Sequence, residues 1–314
     1  MKNANTPKYS KLSANISQAY LLLIIAPLLW GGNLVAGKLA VDQVDPNILL
    51  LGRWFGASLI LIIIASKYIK PDWQKIKPRL LILILYGALG FAAFNLLMYN
   101  SAYFTSGLNM SIEQASIPVL VLLGNFLIFK VRARPLQIIG LVLTIIGVMF
   151  VASAGDLRKI LALEMNIGDV MVLGACFLYA AYSLALKYKP KIHWLSFMLV
   201  TSLAAFGASF IYQIIIEAGF DNIISQIPKI TLLGWGTIFY VMIFPSILAQ
   251  IFYARGVELI GPNRASIFIN LLPVFGTILS IIILGEKFET YHLIASILVI
   301  LGIILAEYSV RKKQ

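Results

Sequence analysis

Long apolar runs, separated by short clusters of charged and turn-forming residues, dominate the chain. A helix that crosses a bilayer needs about 20 mostly apolar residues, because no backbone N–H or C=O can be left unpaired in lipid. Ten runs meet that length, at about 18–40, 46–66, 80–102, 109–129, 135–153, 168–187, 194–217, 231–253, 265–284 and 291–308. They predict ten transmembrane helices that take up roughly two thirds of the sequence. The longest connections, such as 153–168, have about 15 residues. No soluble domain fits between the runs, so the function is expected inside the membrane.

Composition sharpens this picture. Of 314 residues, 60% are hydrophobic and 12% charged, with a mean hydropathy of +0.91. A soluble domain has about 45–50% apolar and about 25% charged residues. That difference argues against water-soluble enzymes, disordered tails, fibrous proteins and disulfide-rich secreted domains. The single cysteine, Cys176, lies inside an apolar stretch and forms no internal disulfide.

The net charge of +12 is explained by where the charges fall. With the N-terminus taken as cytoplasmic, nineteen of the 25 Lys and Arg lie in inside segments. Five (Lys38, Arg158, Lys159, Lys229 and Lys287) lie outside, and Arg53 lies within a span. Cytoplasmic loops carry the excess of Lys and Arg, so both termini are expected in the cytoplasm of a multi-pass protein of the inner membrane. The basic residues then mark topology and contacts with the lipid bilayer, with no need for nucleic acid. Lys2, Lys8 and Lys11 ahead of an apolar run also suggest a signal peptide. The run is about 20 residues long and lacks a convincing small-residue cleavage site, which favours a first span.

The chain repeats itself. At an offset of 155, residues 110–150 align with 265–305, and nine of 41 positions are identical, including Pro118/Pro273 and Gly147/Gly302. At an offset of 149, Trp30 falls over Tyr179 and Lys38 over Lys187. A unit with five spans, used twice in succession, enters the membrane in opposite directions. The expected architecture is an all-α integral membrane protein of two inverted five-helix repeats, 18–153 and 168–308, a plan that places a site near the bilayer midplane.

Specific segments carry a resemblance. "LLWGGNLVAGK" in the first span, "LLLGRWFGASLIL" in the second and "NSAYFTSGLNMSIEQASIPVLVLL" across the third and fourth resemble the EamA-type branch of the drug/metabolite transporter superfamily. So does "RGVELIGPNRASIFINLLPVFGTILSIIILGEKFETYHLIASILVILGIILA", with Glu286 before the last span. The first half departs from the pattern at Lys130–Val131–Arg132, where the repeat would place a second Gly–Glu–Lys turn. The resemblance covers about 18–308. It implies a transporter of amino acids, other metabolites or drugs, and it implies that spans 1, 3, 4, 6, 8 and 9 line the cavity.

Several motifs carry no chemistry. Gly32 to Lys38 fits the core of a phosphate loop, but Leu39 stands where Ser or Thr would hold magnesium, and the run lies in an apolar helix. Close helix packing through Gly31, Gly32, Ala36 and Gly37 is the better reading. His193 and His292 sit near span ends with no ligand spacing around them, so no metal, haem or other cofactor is expected. No nucleophile triad can be assembled from two such histidines either.

Charges within spans default to functional hypotheses. Glu113 is the carboxylate deepest in an apolar helix, and Arg53 is seven residues into the second span. Lys38, Arg53 and Glu113 all belong to the outer half of the membrane under the expected topology. Either Arg53 or Lys38 neutralises Glu113 as a structural ion pair, or Glu113 binds a substrate amine or exchanges a proton. Polar and aromatic residues also gather on faces: Phe91, Asn95 and Tyr99 in the third span, and Ser246, Gln250 and Tyr253 in the eighth. Asn109, Glu113 and Ser116 do so in the fourth, Ser266 and Asn270 in the ninth, and Trp30 and Asn33 mirror Tyr179 and Tyr182. The substrate-binding set expected from these faces is Trp30, Asn33, Asn95, Tyr99, Glu113, Tyr179, Tyr182, Gln250, Tyr253 and Asn270.

The function expected is secondary transport, mainly export, of a small polar or amphipathic metabolite, with amino acids first and a proton or other gradient as the energy source. An intramembrane enzyme would need several convergent carboxylates or histidines, and a receptor or scaffold would need larger loops.

Overall fold

The computed structural model describes residues 6–101, 103–105, 110, 113–161, 166–216 and 219–311. Among these every regular element is helical. The main helices are α1 (Thr6–Ala40), α2 (Pro46–Ile76), α3 (residues 80–101), α4 (Ile117–Phe129) and α5 (Pro135–Ala152). After them come α6 (Ile167–Ala185), α7 (Trp194–Ile215), α8 (Leu232–Ile260), α9 (Pro262–Leu284) and α10 (Thr290–Arg311).

Among the described residues eight stretches are long and apolar enough to cross a membrane, against the ten runs read from the sequence. Two places make the difference. Residues Pro46–Ser101 form one continuous run of helical elements, 56 residues long, because the 3-10 turn Lys77–Arg79 joins the two helices with no loop between them; the join is marked by Arg79, at φ −116° and ψ 13°. Straight, such a stretch would be about 84 Å long at 1.5 Å per residue, nearly three times the ~30 Å hydrocarbon core. The helix α4 has only 13 residues, preceded by a turn at Ala115–Ser116 and by residues outside those described.

Local chemistry sets many boundaries. Asp45 caps α2 by accepting from Asn47 N at 2.9 Å and Ile48 N at 3.1 Å, and Pro46 takes the first helical position, where no N–H is needed. Asn166 and Asp169 form a reciprocal capping box at the start of α6. His193 caps α7 through its ring nitrogen, and its own N–H donates to Asp72 Oδ2 at 2.7 Å. His292 likewise accepts from Glu289 N, so both histidines serve helix ends.

The helices pair across the two halves of the chain. α2 packs along α7, α5 along α10, α1 against α8 and α9, and α6 against α3 and α4. The α5–α10 contact is backbone to backbone. A Cβ on Gly140 would lie 2.4 Å from Gly302 O, and one on Gly302 would lie 2.5 Å from Gly140 O. Gly31 of α1 lies equally close to the backbone of α9, with Gly276 N 2.7 Å from a Cβ built there. Outside, large apolar side chains such as Leu21, Ile63, Leu81, Leu232 and Ile282 are exposed, as a lipid-facing surface requires.

Backbone irregularities recur at the 155-residue offset. α3 contains a π-helical turn at Ala88–Ala93 and α8 one at Phe244–Leu248. α4 and α9 both end in a left-handed residue, Lys130 with φ 58° and Gly285 with φ 70°. The departure at Lys130 is thus one of sequence only. Its backbone makes the same turn, at the roughly 1–2 kcal/mol that a side chain adds in this conformation.

Near the C-terminal end of α10 an ion pair is buried. Arg264 Nη2 lies 2.6 Å from Glu307 Oε2, Arg264 Nε donates to both carboxylate oxygens at 3.1 Å, and Tyr20 OH donates to Oε2 at 2.6 Å.

Candidate functional site

The two π-helical turns organise the centre of the molecule. Pro245 lacks the N–H that would otherwise reach Val241 O, and the Ser246 hydroxyl donates to that carbonyl instead, at 2.6 Å. Ser246 Oγ in turn accepts from Arg53 Nε at 2.8 Å. Asn95, just past the turn in α3, donates to Phe91 O at 2.6 Å, which leaves its Oδ1 to accept from Arg53 Nη1 at 3.3 Å. Nη1 also donates to Tyr99 OH at 3.1 Å. One guanidinium on α2 therefore ties α3 to α8. The Trp30 indole N–H on α1 donates to Pro245 O at 3.3 Å, and so joins the same turn.

These residues enclose a cavity of about 240 Å³. Arg53, Asn33, Asn95, Tyr99, Gln114 and Gln250 supply its polar wall, and Trp30, Phe94, Tyr179, Met98, Ile117 and Leu272 supply much of the apolar one. Asn33 lies within two turns of the C-terminal end of α1, and Tyr99 within one turn of the end of α3. The cavity thus sits toward the side of the molecule that carries Ala40 and Ser101. Beyond Tyr179 the interior is filled by aromatic rings. Tyr179 lies 5.9 Å from Trp30, 5.5 Å from Tyr182 and 5.6 Å from Tyr253, centroid to centroid. Tyr253 is fully buried, and its hydroxyl lies 2.8 Å from Ser183 Oγ.

Of the residues singled out from the sequence, Trp30, Asn33, Arg53, Asn95, Tyr99, Tyr179 and Gln250 line this one cavity. Tyr182 and Tyr253 lie in the aromatic layer behind it. Asn270 is placed elsewhere: it donates to Thr144 Oγ1 at 2.7 Å, tying α9 to α5, and lines a separate void of about 30 Å³. Asn109 lies outside the described residues.

Of the two alternatives at Glu113, the ion pair with Arg53 or Lys38 is not formed among the described residues. Lys38 pairs with Glu286 at 2.5 Å, and the hydrogen bonds of Arg53 go to neutral groups. Glu113 lies half-buried where the chain entering α4 meets α6, its carbonyl accepting from Cys176 Sγ at 3.5 Å and its Oε2 without a hydrogen-bond partner among the described residues. It lies within electrostatic reach of Asp169 on α6, another carboxylate. Gln114, one residue on, takes the cavity position with Met110 and Ile117. Sequence reasoning missed this because it chose the face of Asn109, Glu113 and Ser116, which carries more polar groups, over the adjacent face at 110, 114 and 117, which has the same helical spacing.

Unpartnered polar atoms cluster at the cavity. Asn33 Oδ1, Tyr179 OH and Gln250 Oε1 are buried with no hydrogen-bond partner among the described residues. A buried polar group left in this state is costly, and an incoming polar molecule relieves the cost. Among the described residues no three His, Cys, Asp or Glu side chains gather as a metal site.

The chain is similar to known proteins along nearly its whole length. The model of the EamA-like transporter family matches residues 17–153 and again residues 166–308. The chain is 27% identical over 298 residues to the uncharacterized transporter YetK of Bacillus subtilis, covering 94% of this chain and 88% of that one. It is 25% identical over 295 residues to the uncharacterized transporter YyaM of the same organism, covering 93% and 94%. A transporter of Archaeoglobus fulgidus is also 25% identical, over 295 residues and 92% and 97% of the two chains. A crystal structure with a TM-score of 0.72 and 16% identity covers 93% of this chain and 98% of its own, and shares the fold.

Proposed function

Because the chain belongs to the EamA-like transporter family, we propose that it is a secondary transporter that exports a small polar or amphipathic metabolite, an amino acid or a relative of one, across the inner membrane by alternating access. The observation that carries this reading is the cavity of about 240 Å³ with its polar wall and aromatic floor. The aromatic layer of Tyr179, Tyr182 and Tyr253 supports a state open to one side and closed to the other. Two inverted five-span repeats, 18–153 and 168–308, are part of the same proposal. The paired π-helical turns and the paired left-handed caps support them, as does the exchange by which α1 packs on α8 and α9 while α6 packs on α3 and α4. In this arrangement both termini are cytoplasmic and a gradient, such as that of protons, drives the cycle.

The test is counterflow in liposomes that hold the purified protein and a mixture of amino acids, with labelled amino acids outside. Accumulation that the wild type supports and Trp30→Ala and Asn95→Ala abolish is the expected result. Equal accumulation in protein-free liposomes would overturn the reading. Orientation is tested separately with a cysteine at Asp156 in a Cys176→Ser background. It should react with an impermeant maleimide in intact cells, and labelling only after permeabilisation would reverse the topology.

A further inference from the structure

We propose that Arg53 is the receptor for an anionic group on the cargo, so that the transported molecule bears a carboxylate beside an apolar part; the inference rests on the transport reading above. A guanidinium has five N–H donors. In Arg53 three are engaged, Nε by Ser246 and Nη1 by Asn95 and Tyr99, and all three acceptors are neutral. Both donors on Nη2 have no partner among the described residues. Arg53 is 3% exposed, yet none of the ion pairs among the described residues includes it.

The contrast with Arg264 decides what this means. Arg264 is similarly buried, at 8% exposure, and is met by Glu307 through several contacts. A buried cation is ordinarily paired, because desolvating a lone charge is expensive. At Arg53 the protein holds the guanidinium with hydroxyl and amide groups and over the Trp54 ring, 5.2 Å from Cζ to the centroid, and gives it no carboxylate among the described residues. Of the described residues that line the cavity, Arg53 alone carries a charge. Walls of low dielectric strengthen its field inside the cavity, which favours an anion and disfavours a cation. The Nη2 donors can give a charge-assisted hydrogen bond to a carboxylate, and with Nε and Nη1 already fixed little side-chain freedom remains to be lost on binding. Trp30, Phe94 and Tyr179 face the same space and suit an apolar remainder.

The experiment uses the full-length protein in lipid nanodiscs and two matched probe series, one leucine-sized and one phenylalanine-sized. In the first, L-leucine and 4-methylpentanoate carry the carboxylate, while leucinamide and 3-methylbutylamine lack it. The second uses L-phenylalanine and 3-phenylpropanoate against phenylalaninamide and phenethylamine. Binding is read by thermal shift and by tryptophan fluorescence. Carboxylates should bind at least 30-fold more tightly than the matched amides and amines, about 2 kcal/mol at 1.4 kcal/mol per tenfold. Arg53→Gln should abolish that preference, and Arg53→Lys, which keeps the charge but loses the fixed Nη2 donors, should retain a weakened part of it. Amines that bind the wild type as well as carboxylates, or a wild type that binds no carboxylate of either series, would overturn the proposal even if Arg53→Gln fails to fold. Liposome flux separates the two readings. Carboxylate binding through Arg53 without flux removes transport and leaves the receptor, whereas flux indifferent to Arg53→Lys and to the carboxylate removes the receptor and leaves transport.

Discussion

Replacing Glu307 by Gln tests whether charge pairing holds together the end of the bundle where α9 starts and α10 finishes. Glu307 and Arg264 have side chains each 9% exposed, so solvent screens their interaction little. The carboxylate accepts from Nε and Nη2 of Arg264 and from Tyr20 OH, which links α10, α9 and α1 at one point. A Gln keeps the shape but removes the negative charge and leaves the guanidinium buried beside a neutral amide. Breaking a buried pair from one side costs about 3–5 kcal/mol. At about 2 °C per kcal/mol for a large domain, the apparent Tm should fall by about 6–10 °C. The Lys38–Glu286 pair is an internal control, because its side chains are 57% and 44% exposed. Glu286→Gln should cost less than about 1 kcal/mol, and so less than about 2 °C. The assay is thermal unfolding of the detergent-solubilised protein, followed by size exclusion of the surviving fraction at one fixed heating protocol. Glu307→Leu combined with Arg264→Met should recover most of the loss, since apolar replacement of a buried pair is often neutral or stabilising. A Glu307→Gln protein within 2 °C of wild type, or one less damaged than Glu286→Gln, would refute the reasoning.

Three further outcomes are expected. Gly140→Val should separate α5 from α10, because its first side-chain atom would lie 2.4 Å from Gly302 O; overpacking of this kind costs about 1–3 kcal/mol or more, read as lost thermal stability, and an unchanged Tm would refute the contact. Glu113→Gln should fold with an unchanged Tm, because it strands no cation; its transport and the pH dependence of that transport, measured in liposomes, then report whether Glu113 takes part in the cycle, and a collapse of the fold would show that it is held by a partner. Trp30→Phe should keep the aromatic floor but lose the bond to Pro245 O, costing about 1 kcal/mol in thermal stability, whereas Trp30→Ala should in addition lose cargo binding.

The linear pattern by itself was enough to establish a helical membrane protein, because the need to satisfy every backbone group in lipid writes long apolar runs into the sequence, and the resemblance of particular segments pointed to the EamA-like family. It also exposed the 155-residue repeat, including Pro118/Pro273 and Gly147/Gly302. Much of the cavity wall was legible as well. Trp30, Asn95, Tyr99, Tyr179 and Gln250 stand at helical spacing on spans otherwise made of Leu, Ile and Val, and polar groups in such spans have few other places to face.

What the sequence left open depended on local departures from an ideal helix and on partners far along the chain. Gln114 lines the cavity and Glu113 does not; the positions 110, 114, 117 and 109, 113, 116 have the same helical spacing one residue apart, so periodicity alone could not choose between the two faces. The partners of Lys38 and Arg264 lie 248 and 43 residues away, and Arg53 meets Ser246 across 193 residues. Charge alone cannot choose among such partners; the packing of α1, α2, α8, α9 and α10 chooses them. The π-helical turns at Ala88–Ala93 and Phe244–Leu248 were equally silent in the sequence, apart from Pro245. They re-aim Asn95 and Ser246 at a single guanidinium, and that convergence exists only once the helices have packed.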